Sequence, residues 1–196
     1  MEINETNKDK HKNIDRKKKK TIKDTLKEFK GTILFVIFTM MVFKLIVMNC
    51  FIPTSSMSPT IPEKSFMLAT RIFKSIENGD VVVFEKEEYP YLLTKRVIGK
   101  EGDIVEIKGN KVYVNDELEP QSNVYGTTYP QKQSRYVVPK NCVFLLGDNR
   151  ENSEDARFWT TPFVNKKDIK AKGMFEYGLP IFSNDKGVHS IKGGYN

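Results

Sequence analysis

Histidine is nearly absent: a chain of 196 residues holds only His11 and His189, both in polar terminal segments. A hydrolase built on an imidazole base has little to draw on here. Cysteine is equally scarce. Cys50 and Cys142 are too few for a disulfide framework and read as free or buried thiols. No Cys or His residues cluster at ligand spacing, so neither a metal nor a cofactor is expected. A disulfide scaffold is not required either, because a chain of this length can bury a core of its own. Repeats and low-complexity tracts are missing after residue 53, as is any clear long helical period. Acidic excess is also missing. The net charge is +7, and residues 1–30 hold eleven Lys/Arg against six Asp/Glu, while the rest of the chain has twenty-one against nineteen. Basicity is therefore a property of the tail and says little about the folded part. Nucleic-acid or anionic-lipid binding by that tail competes with a simpler role, set by the segment that follows it.

That segment is apolar. Gly31–Phe43 (GTILFVIFTMMVF) is thirteen residues without a charge. As a helix it covers about 20 Å, short of a hydrocarbon core of about 30 Å. The run resumes after Lys44 as LIVM, and extension to Met48 gives eighteen residues and roughly 27 Å. Lys44 lies near one end, where its stem lets the ammonium snorkel to the interface. A transmembrane anchor is expected over 31–48, ending near Asn49 and before Pro53. The basic run Arg16–Lys20 precedes it, with Lys23, Lys27 and Lys30 closer in, and the positive-inside rule keeps that flank in the cytoplasm. A cleaved secretory signal is the alternative; no clear small-x-small cleavage site follows the apolar stretch. The expected organisation is a basic cytoplasmic tail at 1–30, the anchor at 31–48, an extracytoplasmic domain at 49–182 and a polar tail at 183–196. The lipid bilayer of the cell membrane is then a partner, and no nucleic acid is expected.

Beyond the anchor the sequence turns β-like. Ser65–Phe73, Asp80–Phe84, Tyr91–Ile98, Ile104–Lys108, Lys111–Val114 and Cys142–Leu146 are short apolar or alternating runs punctuated by Gly, Asn, Asp or Pro. Gly109-Asn110 predicts a two-residue hairpin turn, and Asn115-Asp116 a second turn. The polar stretch Glu119–Gln133 carries Pro120 and Pro130 and predicts a loop or irregular cap; the Gly/Lys-rich residues from Ser183 predict a mobile tail. The fold class expected is mainly antiparallel β with one N-terminal transmembrane helix.

Three stretches carry candidate chemistry: Ile52–Thr60 (IPTSSMSPT), Leu93–Val97 (LTKRV) and Gly147–Arg157 (GDNRENSEDAR). A serine hydroxyl such as that of Ser56 is a weak nucleophile and needs a base. His11 would lie across the membrane and His189 sits in a Gly-flanked tail, so a base other than histidine is favoured, and Ser–Lys pairs are known variants. Taken alone, a Ser/Thr run between two prolines also reads as a solvated turn. Lys95 is more informative. In a strand it shares a face with Leu93 and Val97. Burial there disfavours the ammonium form and lowers its pKa. At a free pKa near 10.4 only about one lysine in 2,500 is neutral at pH 7, and a drop of roughly three units makes a large fraction available as a base. The competing reading is a strand-edge lysine with its charge in water. The third stretch reads either as a solvated loop, with Asp155 and Arg157 in an exposed ion pair of little weight, or as a loop packed on the site, with Ser153 bonded to the Lys95 nitrogen.

Together these residues resemble the signature of type I signal peptidases. The resemblance rests on Ser56-Met57-Ser58-Pro59-Thr60, Gly79-Asp80-Val81-Val82, Lys95-Arg96 and the run Gly147–Arg157, in the family's order after an N-terminal anchor. It covers roughly residues 31–180. It implies a β-rich catalytic fold on the outer membrane face, and a membrane-bound endopeptidase that removes signal peptides from preproteins. It implies Ser56 as nucleophile and neutral Lys95 as general base. The Ser56 amide and the Thr54 hydroxyl would form the oxyanion hole; the Thr54 position varies in the family. Ser153 would hold Lys95, while Asp148, Asp155 and Arg157 brace the loop. Ile52, Met57, Ile61 and Leu93 match the shallow apolar pockets for small residues at −1 and −3 of the cleavage site. The segment between Lys95 and Gly147 is short for the family, so a small cap is expected, roughly over 102–138.

Competing readings are a specialised processing peptidase, for plasmid transfer or pili, and a catalytically inactive signal-peptidase-like assembly factor. Retention of Ser56 and Lys95 argues against the second. Self-cleaving repressors with a Ser–Lys pair carry a DNA-binding helical domain in place of an anchor, and nothing in the sequence suggests one.

Overall fold

Before the first proline, Pro53, nothing in the N-terminal sequence breaks a helix. Accordingly α1 (Ile3–Ile46) runs through the basic tail and the apolar segment alike. The computed structural model describes residues 3–109, 111–120, 131–177 and 188–191. They divide into two units, Met1–Leu45 and Ile46–Asn196. Lys27–Ile46 is long and apolar enough to cross a membrane, and none of it is buried against protein. Such a helix, with Phe35, Ile37, Phe38 and Leu45 all exposed, fits a membrane anchor. The helix stops sooner than the apolar run does. Val47 and Met48, expected as its last residues, open β1 (Val47–Ile52), which pairs antiparallel with β2 (Ser65–Thr70). Hydropathy cannot separate an apolar strand from the end of an apolar helix, and here cross-strand pairing decides.

The second unit holds two antiparallel sheets. The larger adds β3 (Val81–Phe84), β4 (Leu93–Lys100), β9 (Cys142–Leu146), β10 (Phe163–Asn165) and β11 (Ile169–Tyr177), in the order β1-β2-β11-β3-β4-β9-β10, with β12 (Val188–Ser190) pairing β11. The smaller comprises β5 (Ile104–Gly109), β6 (Lys111–Val114), β7 (Glu117–Leu118) and β8 (Gln131–Val137), in the order β7-β6-β5-β8. It occupies the segment where a small cap was expected.

Strand alternation explains how β3 serves two cores. Val82 and Phe84 join Val97, Val105, Phe144 and Leu146 in one cluster, while Val81 and Val83 join Ile52, Met57, Ile61 and Met67 in another. All four β3 residues are buried, so the strand reads as a continuous apolar run. Where β4 leads into β5 the chain passes close to itself. A Cβ at Gly99 would lie 2.6 Å from a Val105 methyl carbon, so glycine is required there.

Both expected turns have a structural counterpart. Lys108 faces Lys111 across the first, with Gly109 at φ 63°; Asn110 itself lies outside the described residues. Val114 faces Glu117 across the second, where Asn115 and Asp116 take φ of 53° and 69°, the primed-turn conformation that Asn and Asp tolerate. The expected loop at 119–133 is corrected at its end, because residue 131 opens β8; residues 121–130 lie outside the described residues. Sequence-based strands stop at Leu146, yet β11 sits in the middle of the large sheet, between β2 and β3. Its lysines hid it: Lys170 pairs with Glu85 at 2.8 Å and Lys172 with Asp80 at 2.7 Å, beside buried Ile169 and Ala171. The expected mobile tail is corrected likewise. Residues 183–187 and 192–196 lie outside the described residues, but β12 pairs with β11 and Ile191 is buried in the second core.

Candidate active site

Pro53 ends β1, and Thr54 leads into a single 3-10 turn, Ser55–Met57. Thr54 is extended, with φ −118° and ψ 157°, and its hydroxyl does not cap the turn. It lies instead 3.4 Å from the Ser56 hydroxyl. The turn buries Met57 completely and leaves Ser56 half-exposed. Ile61 is anchored beneath it, its amide donating to the Met57 carbonyl at 2.9 Å. Ser56 thus stands on a turn whose underside is part of the core.

Lys95 comes from a different element. It lies on β4, paired with Val82 of β3, and is only 4% exposed. Ser56 and Lys95 line one cleft of about 240 Å³, together with Ile52, Thr54 and Leu93. Burial pushes the Lys95 ammonium down to about 8, and the Asp155 carboxylate works against that shift. The strand-edge alternative, with the charge in water, is thereby ruled out.

Most of the loop from Gly147 to Arg157 is buried, correcting the solvated reading; only Glu151, Asn152 and Glu154 are exposed. Arg157 donates through Nε to Asp155 Oδ1 at 2.8 Å and through Nη2 to Asp155 Oδ2 at 2.9 Å, with neither side chain accessible. Arg157 Nη2 also donates to the Arg150 carbonyl at 2.8 Å, and the Gly147 amide to Asp155 Oδ2 at 3.0 Å. The loop thereby closes on itself. It is tied to the serine turn as well: the Asn149 amide donates to the Ser56 carbonyl at 3.1 Å and Asn149 Nδ2 to the Ser55 carbonyl at 3.1 Å. Contact is tightest at Gly147. A Cβ there would lie 2.5 Å from the Ser56 carbonyl oxygen and 2.5 Å from Ser153 Cβ, and closer still to Ser153 Oγ.

Arg96, the neighbour of Lys95, joins the remaining parts. Fully buried, it grips Asp148 with two bonds, Nε to Oδ1 at 2.7 Å and Nη2 to Oδ2 at 2.6 Å. Its Nη1 donates to the carbonyls of Gly79 at 2.7 Å and Ile191 at 3.0 Å, and Nη2 reaches the Thr60 hydroxyl at 3.5 Å. One guanidinium therefore touches all the sequence stretches singled out above, plus the residue that follows β12. Bidentate geometry of this kind suits arginine and not lysine.

Not every expected residue falls in the cleft. Ile52 and Leu93 line it. Met57 and Ile61 do not; both are wholly inaccessible in the second core, where they support the serine turn. The expected bond from Ser153 to Lys95 is not made in this geometry, since Ser153 Oγ is buried without a hydrogen-bond partner among the described residues. Sequence reasoning missed Phe51, Tyr89, Tyr91, Asn152 and Glu154, all of which line the cleft. It also missed the buried pair of Arg150 with Glu119 at 3.0 Å, which ties the loop to the end of the smaller sheet. No local pattern announces such pairs, because their partners are far apart in sequence. Among the described residues no group of His, Cys, Asp and Glu could hold a metal ion.

The family model described as signal peptidase, peptidase S26, matches residues 22–177. Among individual proteins, thylakoidal processing peptidase 1 of Arabidopsis thaliana is 32% identical over 153 residues, covering 70% of this chain and 44% of that protein. Signal peptidase I of Leptolyngbya laminosa is 31% identical over 139 residues, covering 65% of this chain and 66% of that one. Signal peptidase I S of Bacillus subtilis is 28% identical over 173 residues, covering 82% and 91%. The chain thus spans less than half the length of the first of these relatives and nearly all of the last.

Proposed function

The chain belongs to the signal peptidase family, peptidase S26, and from that premise we propose that it is a membrane-bound serine endopeptidase that removes signal peptides from exported preproteins. The observation that carries the reading is a buried lysine with a lowered pKa sharing one cleft with a half-exposed serine. Neutral Lys95 takes the proton of Ser56 as Ser56 Oγ bonds to the scissile carbonyl carbon. The carbonyl electron pair moves onto oxygen, toward the Thr54 hydroxyl and the Ser56 amide. Collapse of that intermediate breaks the C–N bond, and Lys95 passes its proton to the leaving amine. Water, with Lys95 again as base, then hydrolyses the acyl-enzyme and frees Ser56. Asp148, Asp155 and Arg157 hold the loop against the serine turn, and Ile52 and Leu93 supply the apolar wall for small substrate side chains.

Topology completes the proposal. The helix crosses the cell membrane with its lysine-rich flank in the cytoplasm, and the unit from residue 46 onward faces the outer side. Purified protein should cleave a signal-peptide-bearing preprotein. Ser56→Ala and Lys95→Ala should each lose about 10⁴-fold or more in turnover, and the double variant about as much as either alone, since the two act as a unit. Lys95→Arg should be inactive because guanidinium stays protonated. Robust cleavage by Lys95→Ala would exclude the mechanism. Absence of cleavage by the wild type would favour the assembly-factor reading.

A further inference from the structure

The cleft holds one carboxylate that the proposed chemistry does not use. Glu154 lines it alongside Ser56 and Lys95. Other acidic side chains around the site are committed: Asp148 to Arg96, Asp155 to Arg157 and Glu119 to Arg150. Glu154 is exposed and within the field of Lys95, whose charged form it favours less than Asp155 and Asp148 do, but it makes no salt bridge among the described residues. The Tyr89 hydroxyl donates to Glu154 Oε1 at 2.7 Å. Tyr89 belongs to the β3–β4 connection, so the bond joins two rims of the cleft and fixes where the carboxylate sits. Burial first, and then Glu154 itself, push the Tyr89 phenol up to about 12, so the proton stays on Tyr89 over any working pH. One phenol leaves a carboxylate with lone pairs for further donors.

The surroundings suit a particular guest. The Tyr89 and Tyr91 rings lie 5.8 Å apart, and with Leu92 they give the cleft an apolar flank leading to Glu154. A long aliphatic stem ending in a cation matches that sequence of surfaces. We propose that Glu154, positioned by Tyr89, is a specificity-determining residue that takes a lysine or arginine side chain of the substrate polypeptide next to the scissile bond. This rests on the endopeptidase reading and adds a preference to it. In an extended substrate, side chains alternate. Those at −1 and −3 turn to the apolar wall of Ile52 and Leu93, so the neighbours that turn away, at −2 or at the first position after the cut, are the ones that meet Glu154.

The test uses the full chain in detergent micelles and matched peptides carrying Lys, Gln or Glu at each of those two positions. Measurement at pH 9 keeps Lys95 largely neutral in every variant. The wild type should rank Lys above Gln above Glu in kcat/KM at one of the two positions, by about three- to fivefold per step at low salt, shrinking as salt is added. Glu154→Gln should flatten that ranking and Glu154→Lys should invert it, while the other position stays indifferent. Equal rates for the three peptides at both positions in the wild type would overturn the inference, as would a ranking that persists in Glu154→Gln. In either case continued cleavage leaves the endopeptidase reading standing. No cleavage of any peptide by the wild type would overturn both.

Discussion

The role proposed for Lys95 depends on its burial in β4. A lysine whose pKa sits at about 8 is neutral in roughly one molecule in ten at pH 7 and nine in ten at pH 9. On the proposed mechanism Lys95 acts in its neutral form, so kcat/KM should rise about tenfold between those pH values and then level off. A profile flat from pH 5 to 9 would show that no group of this kind limits the rate. Thr54 poses a different question at the same scale. Its hydroxyl is free of the turn it precedes and lies 3.4 Å from that of Ser56. If it donates to the developing oxyanion, Thr54→Val, which keeps the shape, should cost about 10²–10³ in turnover at saturating substrate. Thr54→Ser should keep most activity. A valine enzyme within about threefold of the wild type would leave Thr54 a shaping role only.

At the scale of elements, the serine turn and the Gly147–Arg157 loop behave as one piece. Asn149 bonds to both Ser55 and Ser56, and Gly147 admits no side chain between them. Gly147→Ala should therefore move the turn that carries Ser56. Loss of most turnover is expected, with a destabilisation of about 1–3 kcal/mol from overpacking that a thermal melt would register. Trimming Ser153 to glycine in the same protein should not restore activity, because the 2.5 Å clash with the Ser56 carbonyl oxygen remains. Restoration would mean that the loop, and not the turn, is what the methyl displaces. Element boundaries were legible only where the signal was local. Asn115-Asp116 marked its turn because those residues tolerate positive φ. β11 gave no such mark: its alternating lysines look solvated until Glu85 and Asp80 are brought beside them by other strands.

For the whole molecule the prediction is about sidedness. With the lysine-rich flank inside, external protease on spheroplasts should digest the unit beyond residue 46 and spare an epitope placed at the N-terminal tail. Protection of the larger unit with digestion of the tail would reverse the proposed orientation and separate the cleft from exported substrates. The core of that larger unit draws on distant parts of the chain. Ile191 packs with Met57 and Val81, and its carbonyl accepts from Arg96. Shortening the chain before residue 188 would remove β12 and Ile191, and with them one of the bonds that hold Arg96 beside Lys95.

By itself the sequence determined what short-range chemistry can encode: an apolar run long enough for a membrane, a β-rich remainder, two tight turns, and an ordered set of residues characteristic of the family. Tertiary structure alone decided which charges are buried. Asp148, Asp155, Arg96 and Arg157 read as a polar loop and a strand lysine's neighbour, yet all are enclosed because each meets an opposite charge or a carbonyl from elsewhere in the fold. It also shut Met57 and Ile61 away from the cleft, while Ile52 of the same core and Leu93 still reach it. Hydropathy is a property of a segment, whereas burial depends on what the rest of the chain places over it. The pKa of Lys95 follows the second of these.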